Sequence, residues 1–172
     1  HFQSFRSPMT SSFESLIRRM TQAIVDNNGS QAAACFTIDG VYRDVFYGDF
    51  RGQQIAEMVD GRFHRDGCRF LWDIYDPVDN GDLGYARYIF SFDSLIKEYR
   101  GKRAIFEGVA ICRLRNGLIT EYSEITQATS GLLALGVSHD RIGKFIARQT
   151  RQLHRRNESA WHMNGPTGHR AD

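Results

Sequence analysis

The chain changes from helical to strand patterning near Gly67. Before it, apolar side chains recur at helical intervals; after it come four runs rich in aromatic and β-branched residues, CRFLWDIYDPV, LGYARYIFSFD, RAIFEGVAICRLR and LITEYSEITQA. Turn sequences such as Asp79-Asn80-Gly81 and Asn116-Gly117 join these runs, as in an antiparallel meander. Pro77 predicts that the first of the four strands ends or lies at a sheet edge. Helices followed by strands predict an α+β fold, with the helices packed on one face of a strongly curved antiparallel sheet.

Three helical segments are predicted in the first part of the chain. The first runs from about Phe13 to Asp26, with Ser11 and Glu14 at the spacing of a capping box. A short second helix, QAAACF, is expected to be capped by Ser30, and the third runs from Gln53 to about Arg65.

Length and composition indicate one globular domain. The chain has 172 residues, of which 41% are hydrophobic and 24% charged. We expect a flexible tail over residues 1–10, the folded domain over 11–136, and an amphipathic basic helix with a frayed end over 137–172. No apolar run reaches the roughly 20 residues of a membrane span, so a cytoplasmic protein without membrane contact is expected. Three widely spaced cysteines predict neither disulfides nor a metal site, and no cofactor motif is present.

The stretch Phe36–Gly52, FTIDGVYRDVFYGDFRG, holds the first candidate site residues. Side chains alternate across a strand, so Tyr42 and Asp44 share one face and Arg43 points to the other. A phenol and a carboxylate on one surface are the beginning of a catalytic site. The alternative interpretation is that Tyr42 is half-buried packing and Asp44 starts a turn.

The order of elements resembles the nuclear-transport-factor-2-like superfamily, in its SnoaL-like branch. The resemblance rests on two helices, a strand reading VYRDV with glycines after it, a third helix and four strands, and covers residues 12 to about 130. It implies a cone in which a curved sheet wraps helices around one deep pocket for a small-molecule ligand. It also implies a homodimer through the sheets. Members include isomerases, dehydratases, epoxide hydrolases and polyketide cyclases as well as non-catalytic subunits, so fold does not choose the activity.

Residue by residue, the chain is similar to limonene-epoxide hydrolase, whose site combines a Tyr-x-Asn, an Arg-x-Asp and a final aspartate. Tyr42 matches the tyrosine, and Asp44 stands in the place of the asparagine. Asp93 and Glu124 fall on the two acids, and Ser91 replaces the arginine. The alternatives are that Asp93 is a solvated hairpin end and Glu124 a salt-bridged strand residue.

This resemblance leads to a hypothesis about roles. Glu124 activates water or removes a proton, Tyr42 and Asp44 position the water or substrate oxygen, and Asp93 donates a proton. Carboxylates gathered in an apolar pocket would raise one another's pKa. The residues predicted to bind substrate are Arg87, the candidate for the missing positive charge, with Ser91, Phe106, Gly108, Met58 and Phe63.

A second pattern, that of ketosteroid isomerase, fits less well. Asp44 matches the aspartate that shuttles a proton, but Thr21 and Ala110 fall at the positions that would hold the oxyanion. Neither side chain is a strong donor, so isomerisation by that mechanism is disfavoured.

The last part of the chain is basic. Residues 138–172 contain seven Lys and Arg against three Asp and Glu, and a helix is predicted from Ser138. No aromatic stacking platform accompanies these charges, so we expect the helix to dock on its own domain or its dimer mate rather than to bind nucleic acid.

The sequence thus predicts a small-molecule enzyme that uses carboxylate acid/base chemistry for hydrolysis, isomerisation, dehydration or cyclisation. The alternatives are a non-catalytic binding or scaffolding protein, which the Ser91 substitution favours, and the structural subunit of a larger oxygenase.

Overall fold

An open, curved, six-stranded sheet forms the body of the computed structural model, which describes residues 12–165. Its strands are β1 (Phe36–Asp44), β2 (Gly48–Arg51), β3 (Gly67–Asp79), β4 (Leu83–Ser94), β5 (Arg103–Arg115) and β6 (Leu118–Thr126). Their order across the sheet is β2-β1-β6-β5-β4-β3, and every neighbouring pair is antiparallel except β1 and β6, which are parallel. The α+β class and the four-strand meander are confirmed, whereas β2 was not predicted.

The helices differ from the prediction mainly at their ends. They are α1 (Ser12–Val25), α2 (Gly29–Ala34), α3 (Gln54–Met58), α4 (Ala128–Ala134), α5 (His139–His154) and α6 (Ala160–Asn164). Helix α2 has the predicted six residues but begins and ends two residues earlier than QAAACF, because Cys35 caps it and Phe36 already begins β1. Its N-cap is Asn28 rather than Ser30, since the Asn28 side chain accepts the N–H of Gln31. The predicted cap Ser11 and the predicted tail, residues 1–10, lie outside the described residues.

The predicted third helix is two segments. Its first part is α3, and the chain then continues as a π-helical turn from Val59 to His64. Val59 and Phe63 are the buried residues of this turn.

The main core lies between the helices and one face of the sheet, which we call the inner face. Helix α1 is amphipathic and buries Phe13, Leu16, Ile17, Met20 and Ile24, each no more than 3% exposed. They pack with inner-face side chains of β3, β4, β5 and β6. Burial of each large apolar side chain contributes roughly 1.5–3 kcal/mol, so this stripe of α1 stabilises the closed side of the cone.

A second apolar cluster attaches the C-terminal helices to the sheet. Tyr99, Phe106, Leu135 and Val137 are buried in it, and Ile142 of α5 packs against it. The end of the 137–172 segment, which was expected to be frayed, contains a 3-10 turn (Asn157–Ser159) and α6 within the described residues. No helix in the described part of the chain is long and apolar enough to cross a membrane.

The opposite, outer face of the sheet exposes apolar side chains. Val109 and Ile125 are direct cross-strand partners and are 37% and 68% exposed. Leu71 and Ile105 flank Ser91 on the same face and are 60% and 56% exposed. Within residues 12–165, helices cover only the inner face at these positions, so this part of the chain leaves an apolar patch on the outer face uncovered.

Strand β3 is an edge strand interrupted by two register shifts. These lie between Cys68 and Leu71 and between Tyr75 and Val78. Arg69 and Asp76 have positive φ angles of 52° at the two shifts. Pro77 lies within the second shift, and the strand order confirms that β3 is at an edge of the sheet.

Two helical glycines provide a matched test of this packing. A Cβ at Gly131 in α4 would lie 2.0 Å from the Phe106 ring, whereas a Cβ at Gly143 in α5 would meet no atom of the described residues within 4 Å. We expect Gly131→Ala to lower the free energy of unfolding by about 2 kcal/mol through overpacking. Gly143→Ala should raise it by about 0.5–1 kcal/mol because alanine favours the helix. Urea denaturation of both variants checks this, and equal effects would contradict the packing of α4 on Phe106.

Candidate active site

Two Tyr-x-acid sequences meet on neighbouring strands. Because β1 and β6 are parallel, Tyr42 lies directly opposite Tyr122. Their rings stack, with centroids 4.5 Å apart and planes 15° apart, and both side chains are almost fully buried. Two residues further along each strand come Asp44 and Glu124, on the same face as the tyrosines. The parallel register therefore brings two carboxyl groups together at one end of the strand pair.

Asp44 is the carboxyl group held by the backbone. Its Oδ1 accepts the N–H groups of Phe46 at 2.8 Å and Tyr47 at 2.9 Å, in the turn that leads into β2. Burial raises the pKa of Asp44, while these two hydrogen bonds and the charge of Arg148 act against the rise. Both N–H groups favour the ionised carboxylate, so Asp44 is the group of the pair better suited to carry the negative charge.

Glu124 is the carboxyl group held by tyrosines. Its Oε2 accepts the hydroxyl of Tyr88 at 2.7 Å and that of Tyr122 at 3.0 Å. Burial, and next the charge of Asp44, raise the pKa of the Glu124 carboxyl to about 7. The two carboxyls therefore titrate as a pair that gains or loses one proton near neutrality.

A glycine places one of these tyrosines. A Cβ at Gly108 would lie 2.5 Å from the Tyr88 hydroxyl oxygen, and Gly108 is the direct partner of Tyr88 on β5. The missing side chain lets the Tyr88 phenol cross β5 toward Glu124 on β6. Gly108 thus acts behind Tyr88 and does not line the pocket.

Aromatic side chains form the wall of the pocket above the carboxyls. The pocket has about 570 Å³ of space, its open mouth included. Besides Tyr42, Asp44, Tyr88 and Glu124, its main lining side chains are Phe63, Phe70, Trp72, Phe90, Phe92 and Phe106. At the rim, Asp66 forms an ion pair with Arg65 and accepts the Tyr47 hydroxyl at 2.7 Å. The arrangement suits a small, largely apolar molecule.

Helix α5 borders the mouth of this pocket. Phe145 stacks on Phe46 at 5.4 Å, and Arg148 donates from Nη2 to the carbonyl of Val45 at 2.9 Å. Arg141 pairs with Glu98 nearer the start of the helix. The helix that sequence analysis treated as a separate segment therefore contributes to the site.

Three residues predicted for the pocket lie on the other face of the sheet. Arg87 pairs with Asp76 and Glu107 on the outer face, at 3.2 and 3.3 Å. Asp93 forms ion pairs with Arg103 at 2.7 Å and Arg69 at 2.9 Å. Ser91 accepts from Arg103 at 2.8 Å.

The physical reason for this correction is strand alternation in β4. Tyr88, Phe90 and Phe92 turn to the pocket, so the odd-numbered residues between and beside them turn away. Asp93 and Glu124 are consequently on opposite faces, and the predicted grouping of Arg87, Ser91 and Asp93 with Glu124 is wrong.

The remaining predicted binding residues divide between pocket and core. Phe63 and Phe106 line the pocket. Met58 is 1% exposed in the core and does not line it. Thr21, considered as an oxyanion position, donates to the carbonyl of Arg18, and Ala110 lies opposite Glu124.

Sequence reasoning missed Tyr88, Tyr122 and Arg148 as site residues. The repeat of Tyr-x-acid at 42–44 and 122–124 is a signal that could have identified Tyr122. Tyr88 alternates with outer-face residues in β4, which is a weaker signal. Arg148 has no signal in the sequence, because only the docking of α5 brings it to the mouth.

A SnoaL-like domain model matches residues 17–122. The chain belongs to this family. The match confirms the SnoaL-like branch and the cone fold predicted from the order of elements. We find no curated protein that matches this SnoaL-like chain.

Solved structures show the same fold at low identity. TsrD from Streptomyces laurentii is 18% identical, with 74% of this chain and 96% of that one covered and a TM-score of 0.63. A hypothetical protein of ketosteroid-isomerase-like fold from Catenulispora acidiphila, in complex with trimethylamine, is 18% identical. That match covers 78% of this chain and 98% of the other, with a TM-score of 0.64. An LEH-like epoxide hydrolase from M. tuberculosis is 16% identical, with 74% of this chain and 92% of that one covered and a TM-score of 0.60. At these identities the similarity establishes the fold alone.

Opposite changes in the pKa of Glu124 are expected from two substitutions. Asp44→Asn removes the neighbouring negative charge and should lower that pKa, while Tyr88→Phe removes a hydrogen bond to the carboxylate and should raise it. Tyr85→Phe, the same change on an exposed residue of β4, should leave it unchanged. NMR titration of the glutamate side-chain carboxyl measures all three. Shifts of the same sign for the first two variants would contradict the described pair.

Proposed function

We propose that this SnoaL-like protein is a small-molecule enzyme that moves a proton between two positions of a largely apolar, oxygenated substrate. The observation that carries the proposal is the position and pKa of the Glu124 carboxyl. This group lines the aromatic pocket, and its pKa is raised to about 7. A general acid/base works best when its pKa is near the pH at which it operates. Glu124 can therefore take a proton from carbon next to a carbonyl and return it elsewhere on the same molecule.

The roles of the other residues are revised accordingly. Asp44 supplies the fixed negative charge that favours a proton on Glu124, and Tyr88 and Tyr122 orient the carboxyl. Tyr42 stacks behind Tyr122 and supports its position. Asp93 has no part in the chemistry, because it lies on the outer face.

Among the reactions considered, isomerisation, dehydration and cyclisation are favoured over epoxide hydrolysis. Opening an epoxide in the hydrolase manner needs a separate acid to protonate the leaving oxygen, and Asp93 was the candidate for that role. The third carboxyl at the pocket, Asp66, is a poor proton donor because its hydrogen bond with Arg65 lowers its pKa. One carboxyl pair that exchanges a single proton fits transfer within one substrate.

The argument for a non-catalytic binding or scaffolding protein loses its main support. It rested on Ser91 in place of a catalytic arginine, and Ser91 lies on the outer face, away from the pocket. Ligand binding without proton transfer remains the outcome that would support a purely binding role.

The test uses hydrogen–deuterium exchange beside the carbonyl of apolar ketones, with 1-tetralone as the first probe. We expect the wild-type protein to accelerate exchange in D₂O, with a rate that rises as Glu124 ionises through its pKa near 7. Glu124→Gln should lower the rate by about 100-fold or more. Proton NMR follows the loss of the α-proton signals.

Asp93→Asn is the matched control, because it makes the same kind of change on the other face. It should leave the exchange rate unchanged. Absence of acceleration by the wild type, or equal rates for Glu124→Gln and the wild type, would refute the proposal.

We also propose a homodimer through the outer face. The exposed Val109 and Ile125 form one cross-strand row, and Leu71 and Ile105 extend the apolar area beside it. A two-fold contact would cover the same patch on both copies. Helix α5 packs at the pocket mouth of its own chain, so the proposed contact does not depend on it.

Sedimentation distinguishes a dimer from a 19.7 kDa monomer. We expect the double substitution Val109→Lys and Ile125→Lys to give a monomer, because two charges per copy would be buried in the contact. Leu133→Lys, on an exposed residue of α4, should leave the dimer intact. A wild-type protein that sediments as a monomer at micromolar concentration would refute the contact.

A further inference from the structure

The aromatic pocket opens into a polar space beneath α5. This space, about 640 Å³ with its open side included, is lined by Arg148, Gln149, Gln152 and Arg156 of the helix. It shares Asp44, the three residues that follow it, and Glu124 with the aromatic pocket. A molecule in the aromatic pocket would therefore have its other end among these helix side chains.

Arg148 is fixed in this space by contacts that leave its charge available. Its Nη2 donates to the Val45 carbonyl at 2.9 Å, and its guanidinium carbon lies 5.1 Å from the Phe145 ring centroid. Within the described residues it has no carboxylate within 4 Å. Lys144 and Arg156, by contrast, pair with Asp140 at 2.8 Å and Glu158 at 3.6 Å.

The neighbouring acids do not prevent Arg148 from binding an anion. Asp44 already accepts two backbone N–H groups, and the raised pKa of Glu124 keeps a large share of that carboxyl protonated near neutrality. Asp66, the remaining acid at the rim, is paired with Arg65. A guanidinium with side-chain amides beside it is a suitable receptor for a carboxylate.

We propose that the substrate is an apolar carboxylic acid, with its carboxylate bound by Arg148 at the mouth and its apolar body in the aromatic pocket. Gln149 and Gln152 supply further donors on the same side of α5. The inference rests on the proposed function, since it specifies the substrate class of that site. It assigns α5 a role in recognition in addition to its packing.

A pair of probes of the same shape tests the assignment by calorimetry. They are 2-naphthylacetate and its uncharged amide. We expect the wild type to bind the acid about tenfold more tightly than the amide, because a charge-assisted pair forms only with the acid. Arg148→Gln should remove this preference by lowering the affinity for the acid about tenfold, and retained binding of the amide shows that the pocket is still folded.

Arg151→Gln is the matched control. Arg151 is an exposed arginine of the same helix that lines neither space, so the change in net charge is identical and the preference for the acid should persist. Three results would overturn the inference: no acid preference in the wild type, as expected if Arg148 only offsets the charge of Asp44; a preference that survives Arg148→Gln; or an equal loss in both variants.

Binding is measured here without turnover, so this test and the test of the proposed function fail separately. An acid preference that depends on Arg148, found in a protein that exchanges no protons, would retain the anion site and remove the enzymatic role. Proton exchange without any acid preference would retain the enzymatic role and remove the anion site.

Discussion

The parallel contact between β1 and β6 is the interaction on which the site depends. It sets Tyr42 against Tyr122, and the strand period then sets Asp44 beside Glu124. A slip of one residue would turn one acid to the opposite face and separate the pair. Neither strand carries the site alone, because each contributes one aromatic ring and one carboxyl.

Two partly buried carboxyls so close together oppose folding unless their oxygens are satisfied. The structure provides backbone N–H groups at Asp44 and tyrosine hydroxyls at Glu124. These donors act against the effects of burial and of mutual repulsion, but the pKa of Glu124 stays near 7. Burial and repulsion from Asp44 thus outweigh the hydrogen bonds that Glu124 accepts. This makes Glu124 useful for proton transfer but lowers the stability of the fold, as is common at functional sites.

The fold could be predicted from sequence because its signals are local. Helical and strand periods, turn residues and Pro77 each depend on a few neighbouring residues. The site was only partly predictable: alternation correctly placed Arg87 and Asp93 on one face, but it does not say which face is buried. The aromatic residues of β4 decide that, and the contacts that bring β1 to β6 and α5 to the mouth join segments far apart in the chain.

The two edges of the sheet have different protections. At one edge, β2 has four residues, so it offers few free N–H and C=O groups to another chain. At the other, the interruptions near Arg69 and Asp76, and the lack of a backbone N–H at Pro77, prevent a continuous row of hydrogen bonds. Both edges therefore resist the strand addition that leads to aggregation, and growth of the sheet by lateral pairing between molecules is disfavoured.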